Sequence, residues 1–318
     1  MMGAAPSPLP PPARGGGEVE FAGIHAILYA LFDEAEQLDR LAMRRQVEAC
    51  LEAGVHGIGA LGLATEVAKL TEAERCRIMD WVAEDNAGRL PLFFTIFGTS
   101  IAEQVAQLRR AEAVGADWVI LQPPPAGQFV GGEYIAFFGR VAAETALPVG
   151  IQNAPAFLGR GLTPDDIVRL VTQHPNICVL KAEGAAVEIE QLIAATARRV
   201  PILNGRGGLE LIDNLRAGCT GLILAPDIID HAVVAYDRFR TGDIDGAEAA
   251  YARLLPAASF AMQSIEALLC YGKRVMGLRA GIAIRDRAPA LRPTEFGLAC
   301  VAEHARRLGP WPAAGNQG

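Results

Sequence analysis

Eight short apolar runs, each separated from the next by an amphipathic stretch, constrain this chain more than any other feature. They are Ile24–Tyr29, Gly57–Leu61, Pro91–Phe97, Trp118–Gln122, Pro148–Gln152, Ile177–Lys181, Pro201–Asn204 and Gly221–Ala225. A near-continuous apolar run is what a strand needs when both faces of its sheet are covered. The stretches between them carry helix signals. Leu41, Val47, Cys50 and Leu51 recur between Asp39 and Ala53, and Gly54 closes that pattern. Thr71-Glu72-Ala73-Glu74 has the form of a capping box, and Thr163-Pro164 sets a cap residue before proline at the first helical position. Gly54, Gly115 and Gly218 each end a helical pattern ahead of a strand, where a left-handed C-cap is needed. Helix and strand, repeated to eight strands, predict an α/β fold of the (β/α)8 TIM-barrel type. An open doubly wound sheet is the alternative, but no Gly-x-Gly-x-x-Gly follows the first strand.

The barrel is expected to span residues 19–228. Three further helical patterns, near 229–240, 244–270 and 294–307, are too long for one barrel helix and predict a C-terminal extension over 229–309. Residues 1–18 are rich in Pro, Gly and Ala and lack the charged start and apolar segment of a secretory signal. They read as a disordered tail, and so do residues 310–318.

Charge and cysteine usage bound the partners. A formal net charge of −7 with no basic run argues against nucleic acid. No apolar stretch approaches the roughly 18 residues that a membrane span needs. Six cysteines without a Cys-x-x-Cys pair, several within apolar runs, suggest buried thiols in a reducing, cytoplasmic compartment. The five histidines show no metal spacing, so no metal is expected.

Active sites of such barrels lie at the C-terminal ends of the strands. Lys181 stands out there, because it follows Ile177-Cys178-Val179-Leu180 without a break. Strand alternation puts Ile177, Val179, Lys181 and Glu183 on one face. A lysine facing the barrel interior loses hydration, which favours the neutral amine that attacks carbonyls. The competing reading is a lysine that pairs with Glu183 or reaches back to water. From spacing alone the two readings are even.

The chain from about residue 22 to 308 resembles the dihydrodipicolinate synthase / N-acetylneuraminate lyase family of class I aldolases and dehydratases. The anchors are Gly62–Glu66 followed by Lys69-Leu70-Thr71, Asn153-x-Pro155, Val179-Leu180-Lys181, and Ala217-Gly218-Cys219-Thr220-Gly221. The resemblance implies that Lys181 forms the Schiff base, that a 2-keto acid is the substrate, and that the protein is a homotetramer. It implies that Leu63, Ala64 and Thr65 line the substrate carboxylate, with Glu66 in a structural role bonded to backbone.

Departures from the family pattern narrow the activity. The usual Gly-Thr-Thr-Gly-Glu is Gly62-Leu63-Ala64-Thr65-Glu66 here, so two hydroxyls are missing and Thr65 stands where the family has Gly. Gln152 replaces the family's catalytic Tyr, Pro125 replaces a second Tyr, and Phe157 stands where an Arg would grip a second carboxylate. These changes argue against dihydrodipicolinate synthesis. Gln152-Asn153-Ala154-Pro155, Lys181-x-Glu183 and Tyr271-Gly272-Lys273 are more similar to the branch that dehydrates 2-keto-3-deoxy sugar acids. The expected activity is therefore that of a Schiff-base lyase, with dehydration favoured over pyruvate-releasing aldol cleavage, and no metal or organic cofactor is expected because the lysine itself supplies the electron sink. A non-catalytic keto-acid sensor is the third reading.

Glu183 is the candidate proton-transfer group, against a plain structural pairing with Lys181. Gln152, Asn153, Asn204 and Arg206 are candidates for substrate binding, and neutral Gln152 and Asn153 would orient substrate hydroxyls or a water without giving or taking a catalytic proton. Gly205-Arg206-Gly207-Gly208 is a turn that could hold an anion, though a plain loop is the simpler reading. His25 is expected as a core histidine, and Lys273 and Arg274 as the solvated end of an apolar helix.

Overall fold

The computed structural model describes residues 20–313. Eight parallel strands close into one barrel: β1 (Gly23–Ile27), β2 (Gly57–Ala60), β3 (Leu92–Ile96), β4 (Trp118–Leu121), β5 (Val149–Asn153), β6 (Ile177–Ala182), β7 (Ile202–Asn204) and β8 (Gly221–Leu224). Each falls within or beside one of the eight apolar runs. The helix signals also hold. Asp39 caps helix Arg40–Glu52, the predicted Thr71–Glu74 capping box forms, and Thr163, predicted as a cap before Pro164, forms a box of its own with Asp166.

Register partners in parallel strands point to the same side, so the pairings identify the barrel interior. His25 pairs with Gly57, Ile27 with Gly59, and Gly59 with Phe93. Thr95 pairs with Ile120, Ile120 with Gly150, Gly150 with Val179, and Gln152 with Lys181. That this set faces inward follows from His25 on β1 and Trp118 on β4, whose rings meet 6.0 Å apart across the barrel. Phe93 stacks on Trp118 at 4.5 Å, and together with His25 they plug the lower end. Glycine is required opposite these rings. A Cβ on Gly57 would fall 2.2 Å from His25 Nδ1, and one on Gly59 would fall 2.4 Å from the Phe93 carbonyl oxygen. Polar side chains sit above this plug, toward the C-terminal ends of the strands.

The C-terminal extension differs from the expectation in two places. The helix expected over 244–270 ends at Ala261, and the chain turns through 108° before Ile265–Ala280. Ser264 recaps there, its hydroxyl accepting from the Ala267 N–H. Residues 310–313, expected in the disordered C-terminal tail, are docked instead. Trp311 Nε1 donates to the Ala49 carbonyl, the Ala313 N–H donates to Asp230, and the Arg279 guanidinium lies over the Trp311 ring. A lone tryptophan among prolines carries no periodicity, so this anchor had no signal in the pattern. The expected tails over 1–18 and 314–318 lie outside the described residues. Among the described residues, no single helix is long and apolar enough to cross a membrane.

Candidate active site

Lys181 occupies the penultimate position of β6, 3% exposed, level with Gln152 on β5 and Leu203 on β7. Its ammonium lies 3.2 Å from Glu183 Oε1. The other carboxylate oxygen, Oε2, accepts the Arg206 backbone N–H at 2.6 Å. Gly205 makes that approach possible, because a Cβ there would fall 2.3 Å from Glu183 Oε2. The Gly205–Gly208 turn therefore holds an anion after all, and the anion is the protein's own carboxylate.

Gln152 is buried beside Lys181, with its Oε1 accepting from Gln122 Nε2 at 2.7 Å. Gln104 braces this row by donating to the Gln122 and Gly98 carbonyls. Gln152 Nε2 and Thr95 Oγ1 are buried without a protein partner. The alternation that places Lys181 inside places Gln122 and Thr95 inside as well, two residues that belong to no motif.

The other expected substrate-binding residues spend their side chains on the scaffold. Asn153 makes two hydrogen bonds to the Leu162 backbone. Asn204 donates to the Gly184 carbonyl and to Asn214, and accepts from the Gly205 N–H. The Arg206 guanidinium pairs with Glu210 at 2.7 Å. In the turn after β2, Thr65 donates its hydroxyl to the Leu28 carbonyl at 2.6 Å. The Thr65 and Glu66 N–H groups close the turn on the carbonyls of Gly62 and Leu63. Leu63 and Ala64 lie at its crest, and Ala64 is buried.

Glu66 does not bond to backbone as expected. Its carboxylate, 3% exposed, accepts from Lys69 at 2.5 Å and from Lys273. Lys273 is not a solvated helix end. It is 1% exposed, donates to the Ala30 carbonyl at 2.9 Å, and has Tyr29 and Phe32 ring faces nearby. Burial pushes its ammonium below the usual lysine range, and Glu66 pulls it back. Arg274 is likewise mostly covered and forms a double hydrogen bond with Asp286. Nearby, Tyr29 donates to Asp227 at 3.0 Å, and burial raises the Asp227 carboxyl to about 7. Among the described residues, no cluster of three or more His, Cys, Asp or Glu is placed to hold a metal ion.

The dihydrodipicolinate synthetase family model matches residues 20–293. The chain belongs to that family. Its fold and its enzyme class, a lyase, follow from membership. A 4-hydroxy-tetrahydrodipicolinate synthase of Stenotrophomonas maltophilia (strain R551-3) is 31% identical, over 64% of this chain and 69% of that protein. An L-2-keto-3-deoxyarabonate dehydratase of Azospirillum brasilense is 27% identical, over 91% of this chain and 94% of its own length. The solved 4-hydroxy-tetrahydrodipicolinate synthase of Methylacidiphilum fumariolicum SolV superposes with a TM-score of 0.82 at 23% identity, covering 91% of this chain and 96% of that one. At that identity it speaks for the fold alone.

Proposed function

We propose that this lyase forms a Schiff base between Lys181 and a 2-keto acid, and that its reaction is the dehydration of a 2-keto-3-deoxy sugar acid. The observation that carries the reading is the buried Lys181–Glu183 pair at 3.2 Å inside the barrel mouth. Lys181 passes a proton to Glu183, the neutral amine adds to the C2 carbonyl, and return of that proton to the carbinolamine hydroxyl expels water and leaves a cationic iminium that acts as electron sink. Glu183 takes the proton from C3, giving the enamine. Glu183 returns that proton to the C4 hydroxyl as it leaves, a second water is expelled, and hydrolysis of the resulting iminium frees Lys181. The iminium keeps the positive charge of the lysine, so Glu183 retains a cationic neighbour until it accepts the proton. Gln152 orients a substrate oxygen and takes no part in proton transfer.

Two observations favour dehydration over dihydrodipicolinate synthesis. Phe157 offers no charge to a second carboxylate, and Gln152 cannot relay protons as a tyrosine would. The Azospirillum relative named as a dehydratase also aligns over nearly the whole chain. The test is turnover of a panel of 2-keto-3-deoxy acids, with borohydride trapping of pyruvate followed by mass. The expected product is a dehydrated keto acid, with the adduct on Lys181. Released pyruvate would instead assign an aldolase. Trapping without turnover of any panel member would assign a keto-acid sensor. A Lys181→Ala protein that still traps pyruvate would overturn the Schiff-base assignment.

A further inference from the structure

Four inward-facing side chains carry buried polar atoms without a protein partner: His25 Nδ1, Trp118 Nε1, Thr95 Oγ1 and Gln152 Nε2. His25 and Trp118 hold theirs within the aromatic plug. Thr95 and Gln152 lie on the upper side, toward the mouth. Gln152 at least shares one hydrogen bond with Gln122, whereas the Thr95 hydroxyl, on a residue with no exposed surface, has none. Valine has nearly the same shape and would fill this site without leaving a hydroxyl unpaired, so a buried orphan hydroxyl calls for an explanation.

Its position supplies one. Thr95 follows Phe94, the partner of Ala60 at the end of β2, and so stands against the start of the Leu61–Glu66 turn. A Cβ built on Gly62 would lie 3.6 Å from Thr95 Oγ1. The turn cannot offer its own hydroxyl, because Thr65 has given it to the Leu28 carbonyl. Two of its N–H groups are also spent inside the turn. A small anionic ligand attached to Lys181 thus meets a loop with no hydroxyl to spare and, on the neighbouring strand, a hydroxyl short of an acceptor. We infer that Thr95 is a substrate-binding residue whose hydroxyl donates to the carboxylate of the bound 2-keto acid. This rests on the keto-acid reading above and deepens it. The specificity it confers is for a ligand with an anionic oxygen on the β2–β3 side of the chamber.

Substitution separates this role from a structural one by its sign. Thr95→Val removes the hydroxyl at constant shape, so the ligand-free protein should melt no lower than the parent. Pyruvate binding, followed by calorimetry and by the concentration dependence of borohydride trapping, should weaken by about tenfold to a hundredfold, the range for a lost hydrogen bond to a charged group. Trapping at saturating pyruvate should stay within twofold of the parent, and Thr95→Ser should keep affinity within about threefold. Affinity of Thr95→Val within twofold of the parent would overturn the inference. So would a loss of binding that comes with a lower melting temperature. If the parent binds pyruvate but never traps it, the Lys181 reading fails and the binding data still decide Thr95. A parent that does not bind pyruvate overturns both.

Discussion

The Lys181 ammonium and the Glu183 carboxylate face each other at 3.2 Å, and the far oxygen of that carboxylate is fixed by the Arg206 N–H. A pairing with Glu183 was the alternative to chemistry at Lys181. The geometry leaves the two readings compatible, because a carboxylate held from behind by a backbone donor can pair with the lysine and still present an oxygen toward a bound ligand. Both side chains are shielded from solvent, so the pair acts at a lower dielectric than a surface pair would.

Replacing Glu183 with Gln keeps the shape and an acceptor for Arg206 but removes proton transfer. Borohydride should still trap pyruvate on Lys181, while turnover falls on the order of a hundredfold to ten-thousandfold. Turnover within a few-fold of the parent would make Glu183 structural and send the proton through a water held by Gln152 or through the substrate carboxylate.

Gly205→Ala tests the same carboxylate from the backbone side. Its Cβ would sit 2.3 Å from Glu183 Oε2, so either the carboxylate or the turn must shift. Displacements near 1 Å cost positioned groups about a hundredfold. Steady-state assay should show a kcat loss of at least tenfold, with pyruvate trapping preserved. Parental kcat would mean that the position of Glu183 does not matter.

The fold was legible because each strand and cap is a local signal. A run such as Ile177–Leu180 or a Thr71–Glu74 box states its own structure within a few residues. Lys181 and Glu183 were legible for the same reason, since alternation along one strand places both. Lys273 was not. Its partner Glu66 lies 207 residues away, and a lysine after an apolar helix reads as a solvated end until the fold closes over it. Arg206 and Asn204 show the converse. Their position at a strand end suggested ligands, but the side chains are consumed by Glu210, Gly184 and Asn214, a matter of local competition that spacing does not reveal.

Lys273 ties the helix Lys273–Ala280 to the Ala30 carbonyl and to the turn that carries Leu63 and Ala64. Lys273→Met would leave Glu66 buried with Lys69 as its remaining cation. Breaking a buried pair from one side costs about 3–5 kcal/mol, and Lys69 should hold the loss near 3. Urea denaturation would measure it, and the double variant Glu66→Gln, Lys273→Met should recover part, because no uncompensated charge remains. A single-variant loss below about 1 kcal/mol would mean that desolvation already offsets the pair.

Asp227 and His25 should pull the pH dependence of stability in opposite directions over one window. Burial raises the Asp227 carboxyl from 3.8 to about 7, against the Tyr29 hydrogen bond, which favours the charged form. The folded chain thus holds this proton longer than the unfolded chain. Its stabilising contribution is complete below pH 3.8 and is lost as pH rises toward 7. Burial lowers His25 from 6.5 to about 4, against its bond to the Ala22 carbonyl. That contribution is complete above pH 6.5 and is lost as pH falls toward 4. The two effects are of order 4 and 3 kcal/mol and nearly cancel in the parent. Relative to the parent at each pH, Asp227→Asn should gain about 4 kcal/mol of stability between pH 4 and 7, and His25→Gln should lose about 3 between pH 4 and 6.5. Urea denaturation at four pH values in this range reads both slopes. A flat difference curve for either variant would show that its group titrates alike in the folded and unfolded chains, and burial would then not be the force acting on it.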